Sequence, residues 1–475
     1  MKFTQKNKNI LLILTLILIF LLIYSPHFNN PFPLHIDEWH SITEATKLKE
    51  TGITKGLQSV KIGFYLFLAG ISYLFNLVTV YKFLPAIWII LTAILLFHLI
   101  KSKTKNYFIA LLTIIFLASI KSNANILGLW FFTGLTFSIP FIFLYLYLFS
   151  EGIQKQSKKM ILWSLLIMIL LLPIHSISVL FSLPILLIYS LMHKSYLKKE
   201  YKFFLLFLLV PLIGIFLYSW IMDLTLINSL KDFFSRILFK SGWGILELQN
   251  SPGEIYSPIG YLLSVVGLFY LLSKRNFKKY SIFTIWTLTT LFYILIFKLT
   301  NFSPISPYQR NVYYFALSLP FLSAVGTMHL IQLIKRKIKN KNTFKVISTV
   351  LIILILIFAF YSYYSIPKQI KLYKTINQNN YEAIIFLSSQ QILGKIISTP
   401  EISTAMYPVS KHPPLATLYF YGDRNILDRF FEADDCNTKN QIISENKVSY
   451  ILSEKSIECN WEIIYNKKNN IIYKI

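Results

Sequence analysis

His35-Ile36-Asp37-Glu38, with Glu44 six residues further on, lies just beyond the first apolar stretch of a strongly apolar chain. Adjacent carboxylates at such a place are costly unless they face water or do chemistry. The chemistry open to them is proton abstraction from an attacking hydroxyl or amide, or the holding of a cation. The competing reading is a pair of solvated loop charges. Neighbours in a helix or strand cannot both face one ligand, so the two acids would have distinct roles.

The elements that must position these residues follow from composition. The chain has 475 residues, 55% of them hydrophobic and 14% charged, with 40 Phe and 30 Tyr. Apolar runs of helix-spanning length alternate with short basic clusters, which predicts an all-α polytopic membrane protein, because a backbone in lipid must satisfy its own hydrogen bonds. The net charge of +26 is spread between the runs rather than gathered on one domain. It therefore marks cytoplasmic loops, not a nucleic-acid partner. The basic start and apolar stretch of Lys2 to Tyr24 are followed by Ser25-Pro26-His27-Phe28 instead of small residues, which reads as a retained first span.

Placing every basic cluster inside gives about eleven spans: 9–24, 82–100, 107–121, 126–149, 160–174, 177–193, 203–220, 258–273, 281–299, 311–334 and 346–364. The N-terminus is then cytoplasmic and the C-terminus extracytoplasmic. Residues 62–79 are apolar, but crossing there would reverse every later cluster, so they are expected to lie at the outer face as an interfacial or re-entrant helix. Pro173 should split 160–193 into two short halves with His175 at their outer turn. Of the 21 acids only Glu151 and Glu200 fall inside on this topology. The outer loops 25–61 and 221–257 are therefore where a site is expected, and Lys231, Arg236 and Lys240 of the second loop read as a solvated basic face, against the alternative of contacts to lipid phosphates at an interfacial helix.

The expected domains are 1–366 in the membrane and 367–475 outside it. From about Pro367 the composition becomes that of a small α/β domain. A helix is expected over 381–392 and strands over 395–399, 448–452, 462–465 and 471–475, the last two joined by a Lys-Lys-Asn-Asn turn. The only cysteines, Cys436 and Cys459, can pair or stay free.

His35-Ile36-Asp37-Glu38 followed by Glu44 resembles the His-Pro-Asp-Glu signature in the first outer loop of C-type (GT-C) glycosyltransferases. These include mannosyltransferases that take a sugar from a polyprenyl- or dolichyl-phosphate carrier. The wider superfamily keeps Asp-Glu or Asp-x-Asp there, and this chain departs from the nearest version in carrying Ile36 for Pro. Tyr308-Gln309-Arg310-Asn311, running on to Leu319-Pro320, is similar to the late Arg-Tyr…Pro pattern of the same enzymes, and the long outer loops and outer α/β domain match their layout.

The resemblance implies Asp37 as the base that deprotonates the acceptor, with Glu38 orienting the acceptor or a metal. It implies His35, Glu44, Tyr308 and Arg310 as substrate contacts, and the place of His175 at the outer turn makes it a candidate contact to the sugar or carrier phosphate. Arg310 would bind the carrier phosphate bidentately, against the alternative of an arginine snorkelling to headgroups. His175 could equally cap the broken helix. The implied partners are a lipid-linked sugar donor, a protein or glycolipid acceptor and membrane lipids of the cell envelope. The next outer loop, Lys121-Ser122-Asn123-Ala124-Asn125, brings no further acid. No essential protein-bound metal is therefore expected, although the resemblance keeps a divalent cation (Mg²⁺ or Mn²⁺) open.

Two other functions compete with transfer. A transporter or flippase of lipid-linked glycans predicts midplane charges and two related halves, whereas the acids here lie on one side and no repeat is visible. A non-enzymatic assembly or adhesion protein leaves Asp37-Glu38 and Arg310 unexplained.

Overall fold

A run of apolar residues long enough to cross lipid has one way to satisfy its backbone without a partner strand, and these runs fold accordingly as helices. The computed structural model describes residues 4–52, 61–123, 126–239, 252–273, 277–361, 373–390, 394–418 and 421–475. Among them, eight helices are long and apolar enough to cross a membrane, the longest being Tyr308–Lys337 with 30 residues. The chain is a multi-pass membrane protein. The expected eleven spans are not all of spanning length: the segments at 107–121, 177–193 and 258–273 are the shorter helices Tyr107–Ala118, Ile177–Met192 and Pro258–Leu272. At 1.5 Å per residue, the 12 residues of Tyr107–Ala118 reach about 18 Å of a roughly 30 Å hydrocarbon core. Ile62–Ser72, 11 residues long, is shorter still.

The chain divides into two compact units. The first comprises Met1–Ser25, Leu57–Phe64 and Pro85–Ile366. At its centre Tyr308–Lys337 is buried almost continuously from Tyr308 to Thr327. Against it lies Pro258–Leu272, and two glycines face each other across the contact. A Cβ on Gly267 would strike the Leu322 carbonyl, and one on Gly326 the Leu263 carbonyl. Small residues let the backbones meet, and hydroxyls hold them together. Ser323 donates to the Gly260 carbonyl at 3.0 Å, lies 2.7 Å from the Ser264 hydroxyl and 2.9 Å from that of Tyr256.

Elsewhere in this unit Lys103, expected as a cytoplasmic marker, is 2% exposed. It pairs with Glu151 at 2.9 Å and donates to Ser150 at 3.1 Å, tying helix Leu84–Thr104 to helix Gly134–Gln154. Helix Lys158–His175 runs through Pro173 and gives way to the next at Ser176, in the gap expected between 160–174 and 177–193.

The second unit comprises Pro26–Gly56, Tyr65–Leu84 and Pro367–Ile475. The expected break at 366/367 lies outside the described residues, and two earlier segments of the chain join the C-terminal part. Strand Lys395–Ser398 runs parallel to Val448–Ser453; Asn470–Lys474 runs antiparallel to that strand and to Glu462–Lys467. The hairpin turns at Lys468 and Asn469, both with positive φ (51° and 66°), the handedness a two-residue turn needs to match strand twist.

Helices Pro400–Ser410, Arg424–Glu432 and Cys436–Asn446 fill the crossover between the two parallel strands. Ile397, Leu427, Phe430, Ile451 and Tyr473 belong to the core there. Cys436 and Cys459 form a disulfide.

Candidate functional site

Helix Ile36–Thr51 begins at His35, whose backbone is extended and whose Nδ1 accepts from the Asp37 amide at 3.1 Å. Three residues on, Glu38 reaches back, and its Oε2 accepts from the Leu34 amide at 2.7 Å and the His35 amide at 3.1 Å. This is a capping box with histidine in the usual Ser or Thr position. Residues 34–35 are held by a second element as well: Lys374 donates its amide to the Leu34 carbonyl at 2.8 Å, and His35 pairs with Tyr373. Burial, with the Glu38 charge as a second cause, pushes the Tyr373 hydroxyl up to about 12.

The two adjacent acids thus sit differently. Glu38 is 0% exposed and His35 4%, and both are engaged in starting the helix. Asp37 is only half-buried, on the first turn, where the helix N-terminus favours a carboxylate. A helix turns 100° per residue, so the fixed Glu38 leaves its neighbour aimed elsewhere.

Two turns further on, Glu44 lines a cavity of about 90 Å³ within the same unit. One wall is His40, Glu44 and Lys47 of this helix; the other is Tyr407 of helix Pro400–Ser410, with Pro413, Pro414 and Tyr421 beyond it. Lys47 pairs with Glu44 at 3.1 Å. Its ammonium lies 5.6 Å from the Tyr407 ring centroid and 5.1 Å from that of Tyr421, within cation–π range. Behind Tyr407, Glu50 accepts from its hydroxyl at 2.7 Å and pairs with Lys411 at 2.6 Å. Burial works to raise the Glu50 carboxyl, but Lys411 and the Tyr407 hydroxyl outweigh it and hold the group below its ordinary 4.5. Burial first, then Glu50, pushes the Tyr407 hydroxyl well above its ordinary value.

The remaining predicted residues belong to the first unit. His175 is 7% exposed, and its Nδ1 lies 2.7 Å from the Ser178 hydroxyl. That hydroxyl also lies 2.7 Å from Ser138 and 3.0 Å from the Tyr314 hydroxyl. This is an interhelical polar hub that a hydrogen-bonding ring completes. Tyr308 is 0% exposed; its ring stacks on Phe297 at 4.2 Å, with Lys298 over it at 5.0 Å. Arg310 is half-buried, and its Nη1 donates to the Ile126 carbonyl at 3.0 Å. A guanidinium has five donors, so this bond occupies one. In the second outer loop Lys231 is exposed, whereas the Arg236 side chain and residues 240–251, Lys240 among them, lie outside the described residues.

Sequence reasoning overlooked Lys47, Tyr407 and Tyr421. Thr399-Pro400-Glu401 did carry a helix-start signal, with proline at the first helical position and an acid in the first turn. Nothing in the linear order, however, brings residue 407 to residue 47.

No protein-family model matches this chain, and no curated protein sequence does. Solved structures do match in fold. The oligosaccharyltransferase of Archaeoglobus fulgidus in its apo form superimposes with a TM-score of 0.61 at 12% identity, covering 95% of this chain and 70% of that one. The same protein tethered to an acceptor peptide containing the NVT sequon gives 0.57 at 13% identity, covering 95% and 69%. Archaeal oligosaccharyltransferase AglB from A. fulgidus, in complex with an inhibitory peptide and a dolichol-phosphate, gives 0.58 at 14%, covering 94% and 69%.

Proposed function

We propose that the protein is an integral-membrane glycosyltransferase that moves a sugar from a polyprenyl- or dolichyl-phosphate carrier to an acceptor on the extracytoplasmic face, with Asp37 as general base. The observation that carries this reading is the contrast at the start of helix Ile36–Thr51. Glu38 is spent on the cap, while Asp37 stands half-buried on the first turn. The whole-chain likeness in fold to an oligosaccharyltransferase solved in complex with an inhibitory peptide and a dolichol-phosphate, and tethered to an acceptor peptide, supports it.

In the proposed reaction the acceptor's hydroxyl or amide attacks the anomeric carbon of the donor and the bond to the carrier phosphate breaks. The acceptor's proton passes to Asp37 and the phosphate leaves with the bonding pair. The cap fixes the backbone at residues 34–38, so the Asp37 carboxylate needs little reorganisation to receive that proton. Glu38 and His35 are then positioning residues. Arg310 is proposed to bind the phosphate through donors other than the one given to Ile126. Tyr308 and His175, buried in packing and in the polar hub, are proposed to shape the first unit rather than to touch substrate.

We expect Asp37 to act without an essential protein-bound divalent cation. The Glu38 oxygen and the His35 nitrogen already accept backbone amides, and among the described residues no three His, Cys, Asp or Glu side chains form a metal-holding group. No step is routed through one, and transfer is expected to continue when EDTA is added. The Cys436–Cys459 disulfide supports an oxidising, extracytoplasmic location for the C-terminal part.

The test is transfer from radiolabelled polyprenyl-phosphate sugars by membranes containing wild type or Asp37→Asn. Loss of the base is expected to slow transfer on the order of 10²–10⁴-fold. Full activity in the variant removes Asp37 from the mechanism, and no transfer by wild type from any donor removes the enzyme reading.

A further inference from the structure

We propose that the cavity lined by Glu44, Lys47, Tyr407 and Tyr421 is a saccharide subsite, and that the acceptor of transfer is a neutral glycan. The second half of this rests on the transfer reading above; the first half rests on the cavity alone.

The charges in the cavity come as a pair. Glu44 and Lys47 lie 3.1 Å apart, so the walls carry no net charge from them. An anionic ligand would meet Glu44 and a cationic one Lys47, each at a repulsive cost. A neutral ligand that both donates and accepts hydrogen bonds can use both: a hydroxyl donates to the carboxylate and another accepts from the ammonium, as the pair already does with itself.

The apolar part of the cavity is aromatic. Lys47 lies 5.6 and 5.1 Å from the Tyr407 and Tyr421 ring centroids, so both rings border the same space as the ion pair. Pro413 and Pro414 give a stiff edge beside them. Vicinal hydroxyls on the rim of a ring and C–H groups on its face are the chemistry of a pyranose, and this combination of walls matches it. An extended peptide would instead call for backbone donors and acceptors along a groove.

Position links the cavity to Asp37. Both lie on helix Ile36–Thr51, and at 1.5 Å per residue His40 is about 4.5 Å and Glu44 about 10.5 Å along the axis from Asp37. A sugar seated at Glu44 would therefore lie one or two residues of a glycan chain away from the base.

The experiment uses the full chain in lipid nanodiscs and saturation-transfer-difference NMR. The probes are neutral trisaccharides of glucose, mannose and N-acetylglucosamine, with an Asn-x-Thr hexapeptide alongside. At least one trisaccharide is expected to bind wild type and Asp37→Asn alike. Binding should weaken about tenfold in Tyr421→Ala, the order of one lost aromatic contact, fall in Glu44→Gln, and be kept in Tyr421→Phe. Tyr421 is 49% exposed, so its removal leaves the core alone.

Absence of binding by every trisaccharide overturns the proposal. So does trisaccharide binding indifferent to Tyr421→Ala, or peptide binding that Tyr421→Ala abolishes. Glycan binding by a chain with no transfer activity leaves the subsite standing and sinks the transferase reading, so the two failures are distinguishable.

Discussion

Replacing Glu38 with Ala removes the acceptor of the Leu34 and His35 amides, at 2.7 and 3.1 Å, inside a fully buried environment. A buried donor left without its partner costs about 1–3 kcal/mol, so Glu38→Ala is expected to lower the melting temperature, with activity lost through the displaced helix start. Asp37→Asn should lower the melting temperature less, losing only its favourable charge at the helix N-terminus, and slow transfer on the order of 10²–10⁴-fold. Thermal melts run beside transfer assays check the contrast, and equal melting losses in both variants would mean that the two acids share one structural role. The sequence carried this distinction in disguised form. The spacing His35-x-x-Glu38 is that of a capping box, but histidine is an unusual cap, so the sequence shows that the two acids differ in role without showing that Glu38 serves the helix start.

Glu50 gives a prediction of its own. Its folded value lies below the ordinary 4.5, so the stability from its bonds to Lys411 and Tyr407 is present above that pH and lost as pH falls through the depressed value. Tyr407, shifted upward from 10.0, keeps its proton and its bond to Glu50 throughout the neutral range. The wild-type advantage over Glu50→Gln should thus be flat near neutrality, on the order of 0.2–1 kcal/mol for so exposed a pair, and vanish in strong acid. Denaturation of both forms across pH measures it.

At the scale of elements, what was legible and what was not separates by period and by distance in sequence. The strands at 395–398, 448–453 and 462–467 and the Lys468-Asn469 turn follow from alternating apolar residues bounded by turn formers. Helices Arg424–Glu432 and Cys436–Asn446 went unread although Asp423 and Asp435 cap them; the first shows Ile426, Leu427, Phe430 and Phe431 at helical spacing, whereas the second has only Ile442 and Ile443 to show a period. The pairing of Cys436 with Cys459 could not be decided from two cysteines alone. Their separation of 23 residues gives about 3 kcal/mol in the chain-entropy model, so Cys436→Ser/Cys459→Ser is expected to melt the C-terminal part first. Hydrogen exchange of the four strands, compared between the variant and wild type, reports this.

In the membrane unit the glycine contact was equally invisible, because nothing in a run of apolar residues says which face meets a neighbour. Gly326→Leu should disrupt the packing of Pro258–Leu272 on Tyr308–Lys337, whereas Leu at the exposed Val265 (48%) should be tolerated. Folded yield from detergent extracts distinguishes the two.

For the chain as a whole the open quantity is the number of crossings, and its parity decides the sides of the termini. If only the eight long helices cross, both termini share one side. If Tyr107–Ala118, Ile177–Met192 and Pro258–Leu272 cross as well, the total is odd and the termini are opposed. Length alone argues for eight, since a short helix mismatches the bilayer at a cost of fractions of a kcal/mol per Å. Charge argues for the larger number. With eight crossings and the N-terminus inside, the clusters Lys155/Lys158/Lys159, Lys274/Arg275/Lys278/Lys279 and Lys335 to Lys345 would all fall outside, against the positive-inside rule. The disulfide would also fall in the reducing compartment. Short helices can cross where protein rather than lipid covers their ends, and the buried contact of Pro258–Leu272 on its long neighbour supplies such cover. We therefore expect an extracytoplasmic C-terminus. Cys436 and Cys459 are the only cysteines in the chain, so an impermeant reductant followed by an impermeant maleimide should label intact cells. Labelling that appears only after lysis would put the C-terminus inside, restore the even count, and place the saccharide cavity on the wrong side of the membrane for an extracytoplasmic acceptor.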